Sequence, residues 1–277
     1  MTKKKRRLWM VELVAIVLGI LYIVPLVLVV INSFKTNPET IMNFFSFLPS
    51  GIHTENYVEA WEKMKYPKAF SNTLILTVGA TVGSVVFGSM ASYKMCRTKT
   101  WYSNLMFLIC ISPLMITFSS VMITLSKVAK NLHLINSIWG LIIIYWGLLL
   151  PFTIFLYHGN IKAIPLELEE AAMIDGCGSV RTFVAIVFPL LKPITTTVFI
   201  LNGIKIWNDF LTPLIMIGSR SATHTLVLAA NQFSGTYHSN YALSMAAFCM
   251  TSIPIVVFYL FMQKHIVKGI TAGSVKS

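Results

Sequence analysis

The sequence predicts an all-α, polytopic membrane protein with six transmembrane helices, and three observations carry that prediction. The 277 residues are 56% hydrophobic and only 12% charged, too apolar and too sparsely charged for a soluble domain of this length. A bilayer core about 30 Å thick needs about 20 mostly apolar residues per helical crossing. Six runs satisfy that need: residues 8–31, 73–93, 105–125, 138–157, 194–218 and 242–262. The third observation is where the charge lies. In a six-span reading, fourteen of the 22 Lys and Arg fall on the side of the N-terminus, seven on the other side, and Lys205 within a span. This positive-inside bias places both termini in the cytoplasm. It also accounts for the net charge of +12 by the lipid bilayer, with no nucleic acid partner. The connecting segments are too short and too polar to build a second core, so residues 1–277 read as a single membrane domain.

Each element can be justified in turn. The opening KKKRR precedes an apolar run that exceeds the ~7–15 residues of a secretory signal core and ends without a small-residue cleavage site, so an uncleaved first helix is expected. The segment from Asn32 to Phe70 is the longest outer connection. It carries Glu39, Glu55, Glu59 and Glu62 with Tyr57, Trp61 and Tyr66, and suits either a short amphipathic surface helix or a plain connector. The second span has Gly79 and Gly83 at GxxxG spacing, with Ser84, Gly88 and Ser92 on a neighbouring stripe, which predicts close packing against another helix. Pro25, Pro113, Pro151 and Pro254 interrupt four spans, and Pro213 lies near the outer end of the fifth. Such kinks are tolerated where neighbours satisfy the freed carbonyls.

The fifth span is unusual. Its NGIKIWNDFLTP stretch places Asn202, Lys205, Asp209 and Thr212 on one helical face, with Asn208 beside them. A charge at the centre of a span costs about 2.5–3.5 kcal/mol even on the gentlest insertion scale, so this face is expected to meet protein or a water-filled path. The alternative is an i,i+4 pair of Lys205 and Asp209 that serves packing alone, although Lys before the acid is the weaker orientation.

Several chemistries are excluded. No GxxxxGK[ST] cradle for nucleotide phosphates occurs. Gly176, Cys177 and Gly178 begin like GxGxxG, but Arg181 stands where the last glycine belongs. The six histidines are scattered without an HxxxH pair, and Cys96, Cys110, Cys177 and Cys249 have neither disulfide-framework nor CxxC spacing. DGCGSVR loosely matches the DGxxAR opening of membrane CDP-alcohol phosphotransferases for two residues, and then Ser179 and Val180 break the pattern. No metal site and no Ser-His-Asp arrangement follows.

The connection at residues 158–193 is the most informative cytoplasmic segment. Pro165 suits a first helical position, Glu167, Glu169 and Glu170 crowd the positive end of a short helix, and Gly176 can close it in a left-handed cap. Ser179 can then cap a second helix through Val187, before Pro189 and Pro193 lead into the fifth span. Leu168, Ala171, Ala172 and Asp175 form a compact, low-profile surface suited to docking into a cleft, though chemistry alone fits a plain loop as well. The fixed offsets go further: Glu170, Ala171, Ala172, Asp175, Gly176, Phe183, Ile186, Pro189, Leu190 and Pro193 resemble the EAA loop of binding-protein-dependent ABC importer permeases, EAAxxDGxxxxxxFxxIxLPLxxP. Phe188 alone departs, standing where Leu is usual. WNDFLTPL from Trp207 and KGITAGSVK from Lys268 are similar to the carbohydrate, maltose-transporter-like branch, so that the resemblance spans essentially the whole chain.

The resemblance implies a permease subunit of a sugar or oligosaccharide importer, not itself an enzyme, forming half of a translocation pore with a second permease subunit. It implies two cytoplasmic ATPase subunits that use ATP and Mg, no cofactor bound by this chain, and an extracellular sugar-binding protein that delivers substrate. Glu170, Ala171, Ala172, Asp175 and Gly176 would couple to the ATPases, and Asn202, Lys205, Asn208 and Asp209 would belong to the path. The polar segment 219–241 would face the binding protein, and the C-terminal tail would reach the ATPase pair. The competing expectation is a secondary transporter with a Lys205/Asp209 proton relay.

Overall fold

A computed structural model describes residues 3–218, 221–233 and 240–274, with side chains for 9–218, 222–233 and 240–263. Residues 219–220 and 234–239 of the outer segment expected at 219–241, and the side chains of the tail from Lys268, lie outside the described residues. The helices in chain order are α1 (Lys3–Asn32), α2 (Asn37–Met42), α3 (Glu55–Lys63), α4 (Tyr66–Arg97), α5 (Trp101–Ile111), α6 (Phe118–Asn131) and α7 (Ile138–Lys162). There follow α8 (Glu167–Ile174), α9 (Ser179–Thr182), α10 (Phe188–Leu190), α11 (Lys192–Asn208), α12 (Leu211–Ile217), α13 (Leu226–Asn231) and α14 (Tyr241–Ser274). No strand occurs among the described residues.

Among the described residues four helices, α1, α4, α7 and α14, are long and apolar enough to cross a membrane, and up to six spans result if each of two bent pairs counts as one. The chain is a multi-pass, all-α membrane protein. Pro25, Pro151 and Pro254 sit inside continuous helices. Pro113 does not: the helix expected over 105–125 is broken there into two segments. Lacking an N–H, Pro113 cannot continue the α-helical ladder. The Ser112 hydroxyl donates instead to the Ile109 carbonyl (2.9 Å), Ser112–Met115 tightens into a 3₁₀ turn, and Ile116 is extended. The axes of the two flanking helical segments consequently differ by 110°.

The expected fifth span, 194–218, is likewise not one helix. A 76° bend separates residues 179–190 from α11, and α11 itself stops at Asn208, with Asp209 extended (φ −75°, ψ 124°).

The described chain falls into two compact units. In the first, residues 1–66 and 229–254, the long connection is an ordered assembly rather than a loose connector. Lys35 is wholly buried, and its Nζ donates to the carbonyls of Asn43 and Ser46 at 2.8 and 2.7 Å. Asn56 Nδ2 donates to the Ser33 and Lys35 carbonyls, both at 2.9 Å, and Trp61 of α3 stacks on Tyr66. The Ser50 hydroxyl and N–H both donate to Glu39 and hold its carboxyl below the usual range.

In the second unit, residues 67–228 and 255–277, α4 and α7 pack closely through the predicted stripe of small residues. A side chain at Gly79 would press on Ile142, at Gly83 on Trp146 and at Gly88 on Thr153. With lipid supplying no hydrophobic drive between helices, such close contact and interhelical hydrogen bonds are what hold them. Trp146 Nε1 donates to the Gly79 carbonyl (3.1 Å), and Ser92 Oγ to the Ile154 carbonyl (3.1 Å). One apolar cluster gathers Leu76, Leu141, Tyr145, Leu149, Ile206 and Met216; another gathers Val85, Tyr157, Ile161, Phe183, Val187 and Val198. These two clusters seat α11 and the segment that precedes it against α4 and α7.

Candidate functional site

Helix α8 begins two residues after Pro165, with Glu167, Glu169 and Glu170 in its first turn, where the unpaired N–H groups and the helix dipole favour negative charge. Its end is a Schellman motif: Cys177 N–H donates to the Ala172 carbonyl (2.9 Å) and Gly176 N–H to that of Met173 (3.0 Å). Gly176 has φ of +83°, a left-handed conformation that glycine adopts without penalty. Gly178, not Ser179, is the N-cap of α9, and Ser179 is its first helical residue. The chain then passes through a π-helical turn, Phe183–Val187, into α10.

The five predicted coupling residues do not share one face. Glu170, Ala171, Asp175 and Gly176 are exposed together with Leu168 and Ile174. Ala172, expected on the same docking surface, is instead buried, because it follows Glu169 by three positions and both turn toward the body of the unit.

Glu169 was not singled out by sequence reasoning, and it makes the strongest contacts of the segment. It is 2% exposed. Arg97, at the C-terminal end of α4, reaches its Oε1 through Nη2 (2.6 Å) and Nε (2.8 Å), while the Tyr93 hydroxyl donates to Oε2 (2.8 Å). Arg97 Nη2 also donates to the Ile164 carbonyl (3.0 Å) in the α7–α8 connection. The Tyr93 ring packs on Phe183 with centroids 5.0 Å apart, and Phe183 on Phe188 at 5.9 Å. A run of three nearby acids hides which one turns inward, and Arg97 lies 72 positions away, so only the i,i+3 pairing of Glu169 with an alanine hinted at it. Beside this joint is a cavity of about 660 Å³, lined by Arg97, Lys99, His158, Lys162 and Glu167 among others.

The predicted polar face of α11 divides. Asn202 is buried, and its Nδ2 donates to Ser84 Oγ (3.2 Å) and Thr153 Oγ1 (3.1 Å), tying α11 to α4 and α7 at once. Asp209 lies at the helix break. Its carboxylate accepts the Thr212 N–H (3.2 Å) and hydroxyl (2.6 Å) at the start of α12, and the Tyr145 hydroxyl (2.9 Å). Lys205 and Asn208 are exposed, and no ion pair joins Lys205 to Asp209. The single face expected for Asn202, Lys205, Asp209 and Thr212 is thus corrected: the helix ends before Asp209, so the 3.6-residue period cannot carry through it. Among the described residues no group of three or more His, Cys, Asp or Glu could hold a metal ion.

A family model described as "Binding-protein-dependent transport system inner membrane component" matches residues 84–272. The chain is 36% identical over 268 residues to a probable starch degradation products transport system permease protein of Thermoanaerobacterium thermosulfurigenes, covering 97% of each chain. It is 32% identical to a melibiose/raffinose/stachyose import permease protein of Bacillus subtilis (strain 168), covering 96% of each. Its fold resembles a chain in the crystal structure of a bacterial ABC transporter involved in the import of the acidic polysaccharide alginate, with a TM-score of 0.79, 18% sequence identity, and coverage of 95% of this chain and 98% of that one.

Proposed function

Because the chain belongs to the family of binding-protein-dependent transport system inner membrane components, we propose that it is the permease subunit of an ATP-driven importer of sugars or oligosaccharides. In this reading it forms half of the pore with a second permease, two cytoplasmic ATPase subunits dock on it, and an extracellular binding protein delivers the sugar. Relatives of nearly full coverage whose names specify starch products and melibiose, raffinose and stachyose support the substrate class. The 14-to-7 distribution of basic residues supports cytoplasmic termini and a cytoplasmic α8.

The observation that carries the coupling role is the exposed face of α8. Glu170, Ala171 and Asp175 stand out from a helix whose end is fixed by the Gly176 cap, so a charged, low-profile ridge is available to a cleft on an ATPase. A charge-assisted hydrogen bond from Glu170 would contribute about 1.5–3 kcal/mol, which is about 10- to 150-fold in affinity.

Replacing Glu170 by Ala is therefore expected to leave insertion and pairing with the second permease intact. Copurified ATPase, substrate-stimulated ATP hydrolysis and sugar uptake should all fall together. Gly176→Val should act in the same direction by straining the cap. Normal copurification and uptake in both variants would reduce α8 to a connector. A proton relay through Lys205 and Asp209 has no geometric support, since that carboxylate is engaged by Tyr145 and Thr212 and the lysine is not paired with it.

A further inference from the structure

Neighbouring glutamates of α8 have opposite surroundings. Glu170 is exposed, whereas Glu169 is buried against Arg97 and Tyr93. We propose that the Arg97–Glu169–Tyr93 joint is the linkage through which α8 drives α4 and α7, which makes Glu169 and Arg97 positioning residues for energy coupling. This rests on the reading of α8 as the ATPase-docking helix.

Two routes lead from α8 into the long helices. The covalent route forward runs through the left-handed turn at Gly176, the π turn at Phe183–Val187 and the bend at Leu191. Each of these interrupts the regular ladder of hydrogen bonds that makes a helix stiff. The side-chain route is shorter. An ion pair between the buried Glu169 and the part-buried Arg97 joins α8 directly to the last turn of α4, and the same guanidinium holds the Ile164 carbonyl, which closes the connection back to α7. Tyr93 adds a second strut, because its hydroxyl holds Glu169 while its ring packs on Phe183.

Beyond Arg97 the load has a stiff path. Gly83 against Trp146, Gly88 against Thr153 and the Ser92–Ile154 bond leave α4 and α7 no room to slide independently. Asn202 then bridges Ser84 and Thr153, so a displacement at the end of α4 reaches α11 at its middle. Closely packed elements of this kind shift as bodies rather than deform continuously. A push on α8 is therefore delivered to α4 and α7 as a pair.

The joint is tested in the complete complex, with both permeases, the ATPases and the binding protein, reconstituted in proteoliposomes. Glu169→Gln keeps the side chain's size and its acceptor for Tyr93 but removes the charge. Expected are unchanged copurification of the ATPases, sustained ATP hydrolysis, and uptake per ATP lowered about tenfold, because a part-buried arginine left without its carboxylate no longer grips α8. In a background where the four cysteines are replaced, the Arg97→Cys/Glu169→Cys pair should be uncoupled in the same way, and a short bifunctional maleimide bridging the two should restore uptake per ATP. A merely structural role would not be rescued by a bridge that restores neither charge nor hydrogen bond.

Parental uptake per ATP in Glu169→Gln would overturn the proposal. So would loss of ATPase subunits from that variant, which would make Glu169 a docking residue, or failure of the bridge to restore coupling. The functional reading itself fails separately: the unsubstituted complex would then show no ATP-dependent sugar uptake, or Glu170→Ala would have no effect.

Discussion

Lys205 and Asp209 stand four positions apart, and their surroundings assign them different work. Asp209 accepts from Thr212 and Tyr145 and so caps α12 at a break in the chain. Asp209→Ala is expected to destabilise by about 1 kcal/mol, the usual cost of losing an N-cap, and to lower the thermal midpoint of the detergent-solubilised protein. Lys205 is exposed on α11, and no ion pair to it occurs among the described residues. A lysine facing lipid would carry a cost of about 2.5–3.5 kcal/mol, so in the proposed transporter it is expected to meet the proposed second permease or a water-filled path. Lys205→Leu should leave the thermal midpoint unchanged and reduce uptake severalfold. The reverse pattern, a large drop in midpoint with full uptake, would place Lys205 in the packing instead.

Among elements, α4 and α7 pack closely, and the reason was readable in the sequence. GxxxG spacing announces that a helix will be approached closely, and at Gly79, Gly83 and Gly88 side chains of α7 occupy the space a Cβ would need. What spacing alone could not name was the partner. Trp146, which occupies the place a side chain at Gly83 would need, comes from a helix long distant in sequence. Gly83→Val is expected to force Trp146 out and part the two helices, with loss of folded protein by size-exclusion chromatography. Combining it with Trp146→Ala should recover part of that loss, because the collision is then removed while the Nε1–Gly79 bond is still missing. No recovery in the double variant would mean that the glycine is required by something other than the tryptophan.

For the whole molecule, the charge asymmetry makes a prediction about topology. A cysteine placed at Ser50 should react with an impermeant maleimide in intact cells, and one at Ser179 only after the membrane is opened. Both positions are exposed on their own units, so access across the bilayer, not local burial, decides the outcome. Labelling of position 179 from outside would invert the orientation and remove α8 from reach of any cytoplasmic ATPase.

The sequence by itself determined that the chain lives in lipid, since hydrophobicity, run length and charge distribution are properties of composition and order that need no partner to be read. It also determined the cap at Gly176, because a left-handed helix end is a local matter of backbone sterics. The break at Pro113 was only half legible. Proline marks a place where a helix can yield, but Pro25, Pro151 and Pro254 sit inside continuous helices, so a proline alone does not decide the break. Only tertiary structure decided which glutamate of α8 points inward, that Asn202 staples three helices, and that Asp209 ends a helix instead of continuing its polar face. Each of these turns on a partner dozens of positions away or on a hydrogen bond competing with the helical ladder, and neither leaves a periodic trace in the sequence.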